Sequence, residues 1–284
     1  MREKFAAHGL DASVTLAKSG AELIAAARQA RERKLAIVVA GGGDGTINAV
    51  ASELVDSGLA FGVLPLGTLN HFAKDLGIPL DLDAAIANVA HGHRLRVDVG
   101  EVNGVIFLNN SSLGMYPDMV RDREKQQRRL GRGKWLAALW ATVGVLRRYP
   151  FLSVRVKLDD AEHARRTPFV FIGNNEYTMQ GFSIGERERL DGGKLSLYVA
   201  QHPGRLGLLR LAWRALWGQL AQERDFDVLS AENMDIVTHT SRLRVATDGE
   251  VTVMTTPLRY RIRPAALNVI VPQASARTAP PPSL

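Results

Sequence analysis

Leu35-Ala36-Ile37-Val38-Val39-Ala40-Gly41-Gly42-Gly43-Asp44-Gly45-Thr46-Ile47-Asn48 runs from an unbroken apolar stretch directly into a glycine-rich turn. Leu35 to Ala40 is short and continuously apolar, the pattern of a strand covered on both faces. From Thr46 to Ser57 the period changes, and Ile47, Val50, Ala51, Leu54 and Val55 fall on one face of a predicted helix. Glycines in such a turn let the backbone approach a phosphate closely. The helix that follows adds unpaired N–H groups and the positive end of its dipole. The turn is neither a G-x-x-x-x-G-K-[ST] loop nor a G-x-G-x-x-G fingerprint, and by itself a glycine run after a strand also fits a plain tight turn.

Outward from this unit the alternation continues. A helix is expected over Ala21 to Arg33, a second buried strand over Leu59 to Leu64, and another helix from an Asp81 N-cap with Leu82, Ile86 and Val89 turned inward. Strands alternating with helices argue for a parallel sheet with helices on its faces. After Gly92 the pattern changes, because Arg96 to Asn109 reads as two strands around the hairpin pair Asn103-Gly104. Strands are also expected at Leu152 to Leu158, Pro168 to Gly173, Leu195 to Ala200, Met234 to Thr238, Leu243 to Thr247, Pro257 to Ile262 and Leu267 to Val271. Lys134 to Arg148 and Arg205 to Gln222 have helical patterns. The organisation expected is therefore an α/β nucleotide-binding domain over residues 1–94, a mainly antiparallel β-sandwich over 95–274, and a disordered tail over 275–284.

Two further motifs give the glycine turn a context. Pro65-Leu66-Gly67-Thr68-Leu69-Asn70 follows the second strand, so a second small polar turn opens at the carboxyl edge of the sheet, where open α/β folds bind ligands. Thr68 and Asn70 are candidates to hydrogen-bond phosphate or ribose; a helix N-cap at Thr68 is the alternative. Far downstream, Asp248-Gly249-Glu250 follows the strand Leu243 to Thr247, in a sequence that also suits a hairpin turn.

G-G-D-G-T, then P-x-G-T-x-N, then D-G-E, in this order and spacing, resembles the catalytic domain of diacylglycerol, ceramide and sphingosine kinases and their bacterial relatives. The likeness extends over nearly the whole chain, including the hairpin from Val97-Asp98-Val99-Gly100 to Asn109-Asn110-Ser111-Ser112-Leu113-Gly114. It implies an N-terminal domain like that of NAD kinases, a C-terminal β-sandwich, and ATP in the cleft between them. On this resemblance Gly42, Gly43, Asp44, Gly45, Thr46, Ile47 and Asn48 wrap the ATP phosphates, and Thr68 touches the nucleotide. Glu250 is the proton acceptor, with Asp248 beside it. Arg189-Leu190-Asp191-Gly192-Gly193 is similar to the family's magnesium-holding loop, with Asp191 as ligand and Glu188 and Gly193 as neighbours. Asp44 is a candidate to reach the catalytic Mg²⁺, or to cap its helix. The activity implied is transfer of the γ-phosphate of ATP to a hydroxyl of a diacylglycerol-like or sphingoid lipid, within phospholipid metabolism. An NAD kinase-like enzyme and a non-catalytic lipid- or nucleotide-binding protein are the alternatives.

The sequence departs from this family in two places. Met1 to Leu10 holds no match to the N-P-x-S-G turn with which the family opens, so the sheet is expected to lack that first strand. His71 stands after Asn70 where the family more often has Asp, and an imidazole does not serve Mg²⁺ as a carboxylate does.

Bulk composition agrees with a folded chain that meets anions. The 284 residues are 46% hydrophobic, and Lys plus Arg exceed Asp plus Glu by 36 to 29. The absence of cysteine removes disulfides, thiolate metal sites and cysteine nucleophiles. A secretory signal peptide is not expected, since the charged start Met1-Arg2-Glu3-Lys4 is followed by no apolar run, and the longest apolar run, Trp135 to Leu146, is short of a bilayer span. A soluble cytoplasmic protein in peripheral contact with the inner face of the membrane is expected. Two stretches are candidates for that contact: the basic run Arg121 to Lys134 next to Trp135, and the amphipathic helix Arg205 to Gln222 with Trp213 and Trp217 on its apolar face. Each also fits a bland reading, as a solvated loop and as a helix packed on the sandwich. His91-Gly92-His93 lacks further metal ligands nearby and reads as a helix end. Nucleic acid is not expected as a partner, since aromatics are only 6% of residues.

Overall fold

The computed structural model describes residues 1–114, 152–158, 161–167, 169–180, 183–187, 189–200 and 226–273. The basic run, Trp135, both helical patterns of the second half, Glu188 and the tail lie outside the described residues.

The first third is α1 (Arg2–Ala6), α2 (Gly20–Glu32), β1 (Ile37–Gly42), α3 (Asp44–Leu54), β2 (Ala60–Pro65), α4 (His71–Asp75) and α5 (Leu82–His91). Local chemistry sets the helix starts. Ser19 and Asp81 cap α2 and α5 by accepting from the amides of Glu22 and Ala84. β1 and β2 pair in parallel, Ile37 opposite Ala60 through Gly42 opposite Pro65. Because side chains alternate along a strand, Val38, Ala40, Phe61 and Val63 face α2 and α3, while Ala60 and Leu64 face α5 and Phe5 of α1. Both faces of the sheet are thereby covered, which explains the continuous apolar runs.

β3 (His93–Val102) and β4 (Val105–Phe107) form the expected hairpin, with Asn103 and Gly104 both at positive φ. The rest is strand: β5 (Asn110–Gly114), β6 (Leu152–Leu158), β7 (Ala161–Thr167), β8 (Phe169–Asn174), β9 (Tyr177–Gln180), β10 (Ser183–Arg187), β11 (Leu195–Ala200), β12 (Phe226–Ala231), β13 (Asn233–Thr238), β14 (Arg242–Thr247), β15 (Glu250–Thr255) and β16 (Leu258–Val271). A six-stranded antiparallel sheet in the order β12-β11-β8-β5-β14-β15 packs on a larger mixed sheet that runs β1-β2-β16-β13-β6-β7, with β3 also on β16 and β4 on β3. Between them lie Leu113, Val154, Val156, Ile172, Leu197, Val245 and Tyr260, all but inaccessible. The fold expected from sequence, an α/β domain followed by a β-sandwich, is the fold observed.

The two units share strands. β16 was expected as two strands; it is one of 14 residues, with a register shift between Arg263 and Leu267. Its first half, Leu258, Tyr260 and Ile262, belongs to the sandwich core, while Ala266, Leu267, Val269 and Val271 belong to the α/β core, and Asn268 and Val269 pair in parallel with Ala60 and Phe61 of β2. After the sandwich the chain thus returns to β2, and β3 runs antiparallel to β16 within the same sheet, past both cores.

Candidate active site

The carboxyl ends of β1 and β2 bring the two turns into contact. A Cβ added to Gly67 would stand 2.4 Å from the Cα of Gly43, so only glycine permits this approach. Asn70 holds the second turn. Its side chain accepts from the Gly67 amide at 3.0 Å and donates to the carbonyls of Gly67 at 2.9 Å and Pro65 at 3.3 Å, and it has the left-handed backbone conformation that Asn tolerates. Its side chain is engaged in the turn instead of offered to a ligand. Thr68 is exposed and is not the N-cap of α4; Asn70 takes that position.

In the first turn Gly42 lies against Thr46, whose Cβ would be 2.6 Å from a Cβ added there. Gly43 is the N-cap of α3, so Asp44, Gly45 and Thr46 contribute the amides of the first turn, which have no partner within a helix. Ile47 is buried in the α/β core and its amide donates to the Gly43 carbonyl at 3.0 Å, so neither its side chain nor its amide faces a ligand. The Asn48 side chain donates weakly to the Ile106 carbonyl at 3.4 Å, and its side-chain oxygen is buried without a partner. Asp44 begins α3, and its carboxylate is 3.4 Å from the amide of Phe72, linking the first turn to α4.

Glu250 comes to this turn from the far end of the chain. Its Oε1 is 3.4 Å from where a Cβ on Gly45 would sit, which puts an exposed carboxylate directly over the glycine turn. Asp248, at φ 48°, anchors the hairpin that carries it by accepting from the amides of Leu108, Asn109 and Asn110 at 2.7, 2.9 and 3.0 Å. Burial pushes the Asp248 carboxyl above the ordinary carboxylate range, against the opposing pull of these three amides and of Arg187. Asp248 thus holds the turn, and Glu250 is the exposed carboxylate that the turn presents.

The expected magnesium loop packs at the junction of the two cores. Gly193, at φ 68°, donates its amide to Asp98 at 2.7 Å, and the other Asp98 oxygen accepts from Ala265 at 2.8 Å, fixing the irregularity in β16. Asp191 is held by Arg189 at 3.1 Å. Among the described residues no three His, Asp or Glu side chains gather as a metal-ligand cluster. Mg²⁺ commonly takes one or two carboxylates and completes its shell with nucleotide phosphate and water. Asp44, a hard oxygen donor at the start of α3 beside the glycine turn, suits a cation that arrives with a nucleotide.

Sequence reading missed Asp98, Asp75 and Arg187. A charged residue inside the buried run Val97-Asp98-Val99 was the one available signal. Asp98 is 2% exposed, and the Arg187 side chain is fully buried. Burial depresses the tendency of the Arg187 guanidinium to stay charged, but Tyr177 and Asp75 outweigh it and leave its pKa raised.

The likeness to known proteins follows the two units. Residues 1–102 match the diacylglycerol kinase catalytic domain, and residues 117–271 match the YegS C-terminal NAD kinase beta sandwich-like domain. A protein of Pseudomonas aeruginosa named "Probable lipid kinase YegS-like" is 30% identical over 259 residues, covering 87% of this chain and 80% of the relative. A Bacillus subtilis protein named "Diacylglycerol kinase" is 36% identical over 123 residues, 42% of this chain and 41% of that one. The chain spans 65% of the length of a YegS-like relative from Chromohalobacter salexigens and 61% of a relative from Synechocystis. The crystal structure of a diacylglycerol kinase from Bacillus anthracis str. Sterne superposes with a TM-score of 0.70 at 20% identity, covering 96% of this chain and 89% of that one, a likeness of fold. With both family domains matched in order and identity sustained along most of a relative, the chain belongs to the diacylglycerol kinase and YegS-like lipid kinase family.

Proposed function

We propose that this protein is an ATP-dependent lipid kinase that transfers the γ-phosphate of ATP to a hydroxyl of a diacylglycerol-like or sphingoid lipid. The observation that carries this reading is the placement of Glu250 against Gly45, which joins a proton acceptor to a phosphate-binding turn across about two hundred residues of sequence. The relatives named as lipid and diacylglycerol kinases support the acceptor class.

Phosphoryl transfer asks for in-line positioning and neutralised charge more than for covalent help. The amides of Asp44, Gly45 and Thr46, at the positive end of α3, hold phosphate oxygens. Glu250 orients the acceptor hydroxyl and takes its proton as the oxygen attacks the terminal phosphorus and ADP departs. Mg²⁺, when bound with the nucleotide beside Asp44, supplies positive charge to the phosphates. Thr68 lines the second turn where the nucleotide passes, Asn70 holds that turn, and Asp248 holds the hairpin that carries Glu250. Among the described residues no helix is long and apolar enough to cross a membrane. A lipid acceptor resides in a membrane, and the stretches at Arg121 to Lys134 and Arg205 to Gln222 are proposed to make contact with its surface.

The test is a panel of acceptors. The protein is incubated with radiolabelled ATP and Mg²⁺ and, in turn, with mixed micelles of diacylglycerol, monoacylglycerol, ceramide or sphingosine, and with NAD. Label in one lipid supports the proposal and names the substrate; label in NAD reassigns the enzyme to the NAD kinases. Label in none, with nucleotide binding retained, leaves a binding protein.

A further inference from the structure

Arg187 of β10 is wholly buried, and every donor of its guanidinium is used. Nε and Nη2 both reach Oδ2 of Asp75, at 2.8 and 2.7 Å. Nη1 donates to the carbonyls of Leu108 at 2.7 Å and Asn174 at 3.1 Å, and Nη2 also donates to the side-chain oxygen of Asn109 at 2.8 Å. Its carbon lies 5.4 Å from the ring centroid of Tyr177. Asp75 ends the short helix α4, five residues after the Asn70 that closes the second turn, and its side chain is 8% exposed.

The segment Leu108–Asn110 is gripped from two sides. Arg187 holds the Leu108 carbonyl and the Asn109 side chain, while Asp248 holds the three amides and its own amide donates to the Asn110 carbonyl at 2.9 Å. One continuous buried strut therefore runs from the helix behind the second turn, through Asp75, Arg187 and residues 108–110, to Asp248 and the hairpin bearing Glu250. Stability alone does not account for it well, since a buried ion pair is often matched by apolar side chains of similar size.

We propose that Asp75 and Arg187 are positioning residues for phosphoryl transfer, fixing where Glu250 stands relative to the nucleotide turns without touching either substrate. The proposal rests on the kinase reading for its kinetic consequence and on the structure alone for its geometric one, so two measurements separate them.

The first is hydrogen exchange in the full chain. In Asp75→Asn, protection of the amides of Leu108, Asn109 and Asn110 is expected to fall at least about tenfold while that of the β1 and β2 amides holds. Unchanged protection at 108–110 overturns the strut, whether or not the protein transfers phosphate. The second is steady-state kinetics with the lipid substrate found. Asp75→Asn lowers kcat, by up to about a hundredfold for a displacement near 1 Å, with KM for ATP little changed. In a Glu250→Gln background the same substitution has no further effect. An equal loss in both backgrounds shows that the pair does not act through Glu250 and overturns the proposal. The double variant Asp75→Leu/Arg187→Met guards against simple unfolding. Removing both charges restores the melting temperature lost in the single variants, but not kcat; recovery of both makes the pair merely stabilising. If the wild-type chain transfers no phosphate at all, the kinase reading fails and the exchange experiment alone decides the strut.

Discussion

Gly67→Ala is the sharpest single test of how the two turns meet. Gly67 does not have a positive φ, so alanine is compatible with its backbone and any cost comes from the added carbon. That carbon would lie 2.4 Å from the Gly43 Cα and 3.3 Å from the Gly43 nitrogen, both backbone atoms with no rotamer to yield. Carbon–carbon contacts settle near 3.5–4.0 Å, so one turn retreats by about 1 Å or more. Forced overpacking of this kind costs about 1–3 kcal/mol. In large domains that lowers the melting temperature by about 2–4 °C per kcal/mol. A displacement of about 1 Å at a phosphate site costs up to about a hundredfold in turnover. Gly43→Ala is the control, because its carbon would meet the Gly67 Cα at 3.5 Å, an ordinary contact, and its melting temperature stays near the wild type. Thermal melts followed by fluorescence, with phosphate transfer assayed on the same samples, decide the matter. Wild-type melting and turnover in Gly67→Ala would refute the contact between the turns.

Other expectations follow from the same geometry. Asp98→Ala removes the acceptor of two part-buried bonds, from the amides of Gly193 and Ala265, and is expected to cost about 1–3 kcal/mol in all, read by denaturant unfolding. Asn70→Ala loses three hydrogen bonds within the second turn and puts alanine at φ 51°, whereas Asn70→Asp keeps the acceptor for the Gly67 amide; the melting temperature falls more for the first than for the second. Tyr260→Phe leaves the buried Ser111 hydroxyl without its 2.9 Å partner and costs about 1 kcal/mol in the same unfolding assay.

What the sequence revealed was local. The glycine turn, the P-x-G-T-x-N turn and the Asn103-Gly104 hairpin each carry their geometry in adjacent residues, and the buried strands Leu35 to Ala40 and Leu59 to Leu64 show it in composition. Long-range partnerships left no such trace. Arg187 and Asp75 are 112 positions apart, and nothing in the intervening sequence marks them as a pair. β16 looked like two strands because Arg263-Pro264-Ala265-Ala266 interrupts its alternation. The backbone instead passes through a bulge with Ala265 at φ 51°, secured by an aspartate from another strand. β7 was missed because Ala161–Thr167 contains no apolar alternation, which suits a strand at the edge of its sheet. Asn70 and Asp248 stand out in the sequence as motif residues, Asn70 read toward the nucleotide and Asp248 toward catalysis, yet their side chains hold turns, a distinction that only the hydrogen-bond partners reveal.

A role for Glu250 as proton acceptor above the glycine turn is the core of the proposed phosphate transfer. It is tested most directly by comparing wild type with Glu250→Gln, an exposed substitution of nearly equal shape, in transfer of label from radiolabelled ATP to diacylglycerol in mixed micelles, with ATP affinity measured alongside. The expected result is transfer by the wild type, a loss of about a hundredfold or more in the variant, and unchanged ATP affinity. Transfer by Glu250→Gln at the wild-type rate would show that Glu250 is not the proton acceptor.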